Sequence, residues 1–161
     1  MIKKVLFGIL FFVIGFGIAS LLDSFFRHTI QDLFQWITNN GIQFNGKDFY
    51  LFGNPIYNIS FGLASLVFSI ANKEVKISKT LRNAFLLILL FTVTLIGICA
   101  IDANLKIIEC TACEDGIRRL GHSEINYGLI LAISIIISII PSLILLIRNW
   151  KKPAHNNGYK K

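Results

Sequence analysis

Two of the three cysteines stand as Cys110-Thr111-Ala112-Cys113. At that spacing two thiols can close a disulfide, exchange one with a partner, or supply half of a metal site. The leading expectation is a structural disulfide between Cys110 and Cys113. Under exchange chemistry Cys110, at the start of a short helix, would attack and Cys113 would resolve the mixed disulfide. A metal site would draw on His122, nine residues on, with Glu109, Glu114 or Asp115 in place of a second cysteine pair. That set is the weaker alternative, and no metal is expected. Cys99 lies in an apolar run and reads as a small buried residue. The chain carries no nucleotide-binding glycine loop, zinc-protease motif or serine-nucleophile elbow.

These residues must be positioned by an unusually apolar chain. Of 161 residues, 54% are hydrophobic and 16% charged, against about a quarter charged in an ordinary soluble domain. Residues 5–22, 49–72, 83–101 and 125–147 contain no Asp, Glu, Lys or Arg. A helix needs roughly 20 apolar residues to cross the hydrocarbon of a bilayer. The pattern predicts an all-α integral membrane protein, a single domain built as a four-transmembrane-helix bundle. Its spans are expected at about 5–22, 53–72, 83–101 and 125–147, with loops at 23–52 and 102–124 and a basic tail at 148–161. Lys3 and Lys4 before the first run are reminiscent of a secretory signal. The run is long for one, however, and Ala19-Ser20-Leu21 lacks a small residue at its last position.

Charge gives the expected orientation. Lys3, Lys4, Lys73, Lys76, Lys79, Arg82, Arg148, Lys151, Lys152, Lys160 and Lys161 fall on one side, with Glu74 as the single acid. The two long loops hold Arg27, Lys47, Lys106, Arg118 and Arg119 against eight acids. Basic residues mark the cytoplasmic side. Both termini are therefore expected in the cytoplasm and both long loops outside. The location is the plasma membrane, or the inner membrane of a Gram-negative cell. The net charge of +7 is accounted for by contact with anionic lipid and needs no nucleic acid.

Within the runs there is no acid, base or histidine, which argues against ion-coupled transport. Small residues recur at helical spacing: Gly15 and Ala19, Ser65 and Ser69, and Ser134, Ser138 and Ser142. Such stripes bring helices close together, within one bundle in preference to between two copies, although a homo-oligomer is also consistent with them. Pro141 is expected to bend the fourth span. Asn54-Pro55 reads as a cap and first turn opening the second.

In the first loop, Phe26, Ile30, Leu33 and Ile37 share one helical face. Arg27, His28, Gln31, Asp32 and Gln35 lie opposite, with Phe34 and Trp36 suited to headgroups. This predicts a separate interfacial helix with a solvated His28. Asn39-Asn40-Gly41 would end it, and Asn45-Gly46 within residues 42–49 predicts a short hairpin.

Four membrane helices with an outward Cys110/Cys113 pair resemble in architecture two enzyme families: the quinone-linked disulfide oxidoreductases of bacterial inner membranes and the vitamin K epoxide reductases. The resemblance rests on those two cysteines alone and implies thiol–disulfide exchange with a quinone as cofactor. Those families relay electrons through two cysteine pairs, whereas this chain has one in its outer loops. The leading functional expectation is therefore a non-enzymatic accessory or interaction subunit, without cofactor, whose partners are the lipid bilayer and a protein met by the two ordered outer loops. The alternative is a membrane thiol–disulfide oxidoreductase using Cys110 and Cys113.

Overall fold

The computed structural model describes residues 2–45, 55–73, 75–108 and 117–150. The order of elements is α1 (Ile2–Ile37), β1 (Ile42–Asn45), α2 (Pro55–Asn72), α3 (Ile77–Ile108), β2 (Arg118–Gly121), a 3-10 turn (His122–Glu124) and α4 (Tyr127–Trp150). All four α-helices are long and apolar enough to cross a membrane. Apolar side chains cover their outward faces, as Leu6, Val13, Ile88, Val93, Ile136 and Ile144 show.

The separate interfacial helix is corrected. Its residues belong to α1, which runs unbroken for 36 residues. No proline interrupts the stretch. The hydroxyls of Ser20 and Thr29 bond back to the carbonyls of Phe16 and Phe25, at 3.1 and 2.9 Å, so they do not divert the backbone. The helix stops where Asn39 and Asn40 take φ values of 50° and 62°, which side chains other than those of Gly, Asn and Asp seldom adopt. The Asn40 amide then donates to the Gln35 carbonyl at 2.8 Å.

The lower half of α1 packs antiparallel on α2 through its small residues. A Cβ on Gly15 would come within 2.6 Å of Ser65 Cβ, and one on Gly62 within 2.9 Å of the Phe12 ring. Missing Cβ atoms therefore set the approach of the two backbones. The upper half of α1 lies along α3. Phe26 meets Phe91 edge-on at 5.5 Å, and a Cβ on Gly41 would stand 3.3 Å from Ile107 Cδ1. Packed against α2 and α3, α4 completes the bundle. The core gathers Ala19, Ile30, Phe34, Tyr57, Leu95, Cys99, Ala103 and Leu131 with both strands.

Of the expected hairpin, only its first strand falls among the described residues. That strand, β1, pairs in parallel with β2, Ile42 opposite Arg118 and Asn45 opposite Gly121. The Arg118 amide donates to the Gly41 carbonyl at 2.8 Å, and its guanidinium donates to the Lys106 carbonyl at the end of α3. Ile42 and Leu120 are fully buried beneath this sheet. Burial of those two side chains on one face fixes the register of the pair. The two strands thus form one cap over the ends of α1 and α3. Gly46 and the rest of the expected hairpin lie outside the described residues.

Candidate functional site

One face of α1 carries Asp23, Arg27 and Gln31 at i, i+4 and i+8. All three are buried. The Arg27 Nε–H donates to Asp23 Oδ2 at 2.7 Å, and the guanidinium carbon stands 5.2 Å from the centre of the Tyr127 ring. One turn on, Gln31 Nε2 donates to the Tyr127 hydroxyl at 3.0 Å. One turn back, Asn58 Nδ2 of α2 donates to Ser20 Oγ at 3.2 Å. A polar brace therefore joins α1 to the first turns of both α2 and α4. Tyr57 extends it, packing edge-on between Phe26 and Phe61.

Three buried atoms in this region have no hydrogen-bond partner: Asp23 Oδ1, the Tyr57 hydroxyl and Asn58 Oδ1. Each such atom costs roughly 1–3 kcal/mol. Such groups are uncommon in folded proteins, and a functional role is one explanation for them. Where Arg27 meets the start of α4, a cleft of about 280 Å³ opens. Ser123, Glu124, Ile125, Asn126, Tyr127 and Gly128 line it together with Arg27. The Gly121 amide donates to Glu124 Oε1 at 2.7 Å, and the Leu129 amide to Asn126 Oδ1 at 3.1 Å. These bonds fix the two polar side chains at the rim.

Charge counting allotted Asp23 and Arg27 to an aqueous loop, and helical spacing turned Gln31 outward. The structure places all three inside the bundle. A signal was present in the sequence: an acid, a base and an amide four apart, continuous with the first apolar run and with no helix breaker between.

The residues singled out from sequence are distributed differently. Cys110 and Cys113 lie outside the described residues, and with them the expected disulfide. His122 opens the 3-10 turn. Among the described residues no three His, Cys, Asp or Glu side chains are grouped as a metal site would require. Cys99 is fully buried without a disulfide. Gly15 meets Ser65, and Ala19 is fully buried. Ser69 bonds back to the Leu66 carbonyl at 2.9 Å. Ser134, Ser138 and Ser142 are buried within the chain, so this stripe does not face outward towards a second copy. Ser134 and Ser138 each bond back within α4 at 2.8 Å, and Thr94 reaches the Ser134 carbonyl from α3 at 3.4 Å.

At the opposite end of the bundle, Asn83, Leu86, Leu87, Ser138, Pro141, Ser142 and Leu145 line a smaller groove of about 80 Å³. Beside it Asn83 Nδ2 donates to Asn72 Oδ1 at 2.7 Å, tying α3 to the end of α2. The chain matches no known protein family, no curated protein and no solved structure.

Proposed function

We propose that the chain is a multi-pass membrane protein of non-enzymatic type, an accessory or interaction subunit that offers its two outer loops to a partner protein as one docking surface. The parallel pairing of β1 with β2 carries this reading. It joins segments separated by two long helices into a single unit, and the Arg118 guanidinium ties that unit to the end of α3 through the Lys106 carbonyl. Gln43 and Arg119 are opposite each other in the sheet and exposed, as a docking surface requires. Both termini face the cytoplasm in this proposal, on the strength of the basic residues that flank the runs.

Orientation is tested with single cysteines at Gln43 and Ser78, in a background where the native cysteines are replaced by serine. A membrane-impermeant thiol reagent on intact cells labels position 43 and spares position 78. The reverse pattern inverts the proposed topology.

The docking role is tested with a photo-crosslinking residue at Gln43 or Arg119, and at the lipid-facing Ile88 as control. A discrete protein adduct is expected from the cap positions and not from Ile88. Leu120→Asp, which puts a charge into the buried side of the sheet, should abolish it while the helical content persists. No adduct at the cap, together with a reducible adduct specific to Cys113→Ser, would replace this reading with thiol–disulfide exchange at Cys110 and Cys113 with a quinone.

A further inference from the structure

We infer that the cleft between Arg27 and the start of α4 seats the headgroup of a zwitterionic phospholipid bearing a primary amine, its phosphate towards Arg27 and its ammonium towards Glu124. The inference rests on the proposal that the bundle crosses a bilayer, and three observations lead to it.

The first is depth. The cleft is built from the 3-10 turn and the first turn of α4. The candidate span Tyr127–Arg148 begins there, so the cleft lies where hydrocarbon gives way to headgroups.

The second is size. At about 280 Å³ the cleft is at or below the smallest pockets that enclose whole drug-sized ligands, roughly 300 Å³. It suits a headgroup whose acyl chains stay in the bilayer beside the exposed apolar face of Leu129 and Ile133.

The third is charge. Arg27 and Glu124 line the same cleft with opposite signs. Asp23 already offsets Arg27 through the 2.7 Å ion pair, so the local sum of Asp23, Arg27 and Glu124 is negative. A purely anionic headgroup would meet the Glu124 carboxylate and a guanidinium whose charge Asp23 already offsets. A headgroup that brings its own ammonium meets the exposed Glu124 as a charge-assisted hydrogen bond, and its phosphate meets a guanidinium that Asp23 holds in place. A trimethylated amine has no N–H to donate, so choline headgroups satisfy Glu124 less well.

The test uses the full chain in lipid nanodiscs containing phosphatidylethanolamine, phosphatidylglycerol and phosphatidylcholine in equal amounts, with retained lipids counted by native mass spectrometry after release into mild detergent. The wild-type protein is expected to retain phosphatidylethanolamine over the other two by about tenfold, the low end of what one charge-assisted hydrogen bond supplies. Glu124→Gln keeps an acceptor for the Gly121 amide but loses the charge. It should abolish the preference with no change in thermal stability. Equal retention of phosphatidylglycerol by the wild type, or an unchanged preference in Glu124→Gln, overturns the inference. Displacement of the retained lipid by soluble phosphoethanolamine overturns the lipid assignment in favour of a free phosphoamine. A chain that does not co-elute with the discs overturns the membrane proposal itself, and this is seen before any lipid is counted.

Discussion

Gly15→Ile is expected to force α1 away from α2 and to lower stability by about 3 kcal/mol, the upper part of the range for overpacking a well-fitted site. The expectation follows from what surrounds the missing side chain. A Cβ there would stand 2.6 Å from Ser65 Cβ and 3.2 Å from the Phe61 carbonyl oxygen. The second of these belongs to the backbone and cannot rotate aside, so relief requires moving a helix. Gly17, two residues on, has nothing within 4 Å of the same construction. Gly17→Ile should therefore be close to neutral. Unfolding in mixed micelles with increasing SDS, followed by circular dichroism, compares the two. Equal midpoints would mean that α1 and α2 do not pack through Gly15.

Arg27→Leu should cost more still, about 3–5 kcal/mol, because it strands a carboxylate inside the bundle. Asp23 is 7% exposed, and its Oδ2 receives the Arg27 Nε–H. With Arg27 gone, Oδ2 loses its charged partner, and Oδ1 has no hydrogen bond to begin with. Replacing Asp23 and Arg27 together by leucine removes the buried charge as well as its partner, and most of the loss should be regained. The same unfolding measurement on both single variants and the double closes a thermodynamic cycle. Purely additive losses would show that the pair is solvated and that the brace is not a buried ion pair.

The four long helices could be read from sequence because lipid-facing helices are defined by an absence: charge is missing for about 20 residues at a stretch. Pro55 and Asn72 mark the ends of α2 for local reasons of the same kind. The polar brace was hidden by that criterion. Treating every ionisable residue as a border placed Asp23 and Arg27 in water, whereas they sit inside α1 because each offsets the other's charge. Gln31 looked solvated on a helical wheel because a wheel shows only neighbours within its own helix. Its partner, Tyr127, arrives from 96 positions away. The strand at Ile42 was read correctly as extended, but its parallel partner in the second loop was not foreseen. Asn45-Gly46 is a local turn signal, while the pairing is decided by burial of Leu120 in the second loop.

That long sequence separation has a kinetic side. A chain made from its N-terminus can close α1 on α2 as soon as Asn72 has been added, since the contacts of Gly15 and Gly62 all lie within those two helices. The cap must wait for β2 at Arg118–Gly121, and the brace for Tyr127 at the start of the final helix. At about 5–20 residues per second, the 96 positions from Gln31 to Tyr127 correspond to about 5–20 s during which Asp23 and Arg27 lack the tyrosine that covers them. Non-local pairings of this kind are intrinsically slow to form even when the chain is complete. The proposed docking surface accordingly cannot form until Gly121 has been added, and a partner that binds it engages no shorter chain.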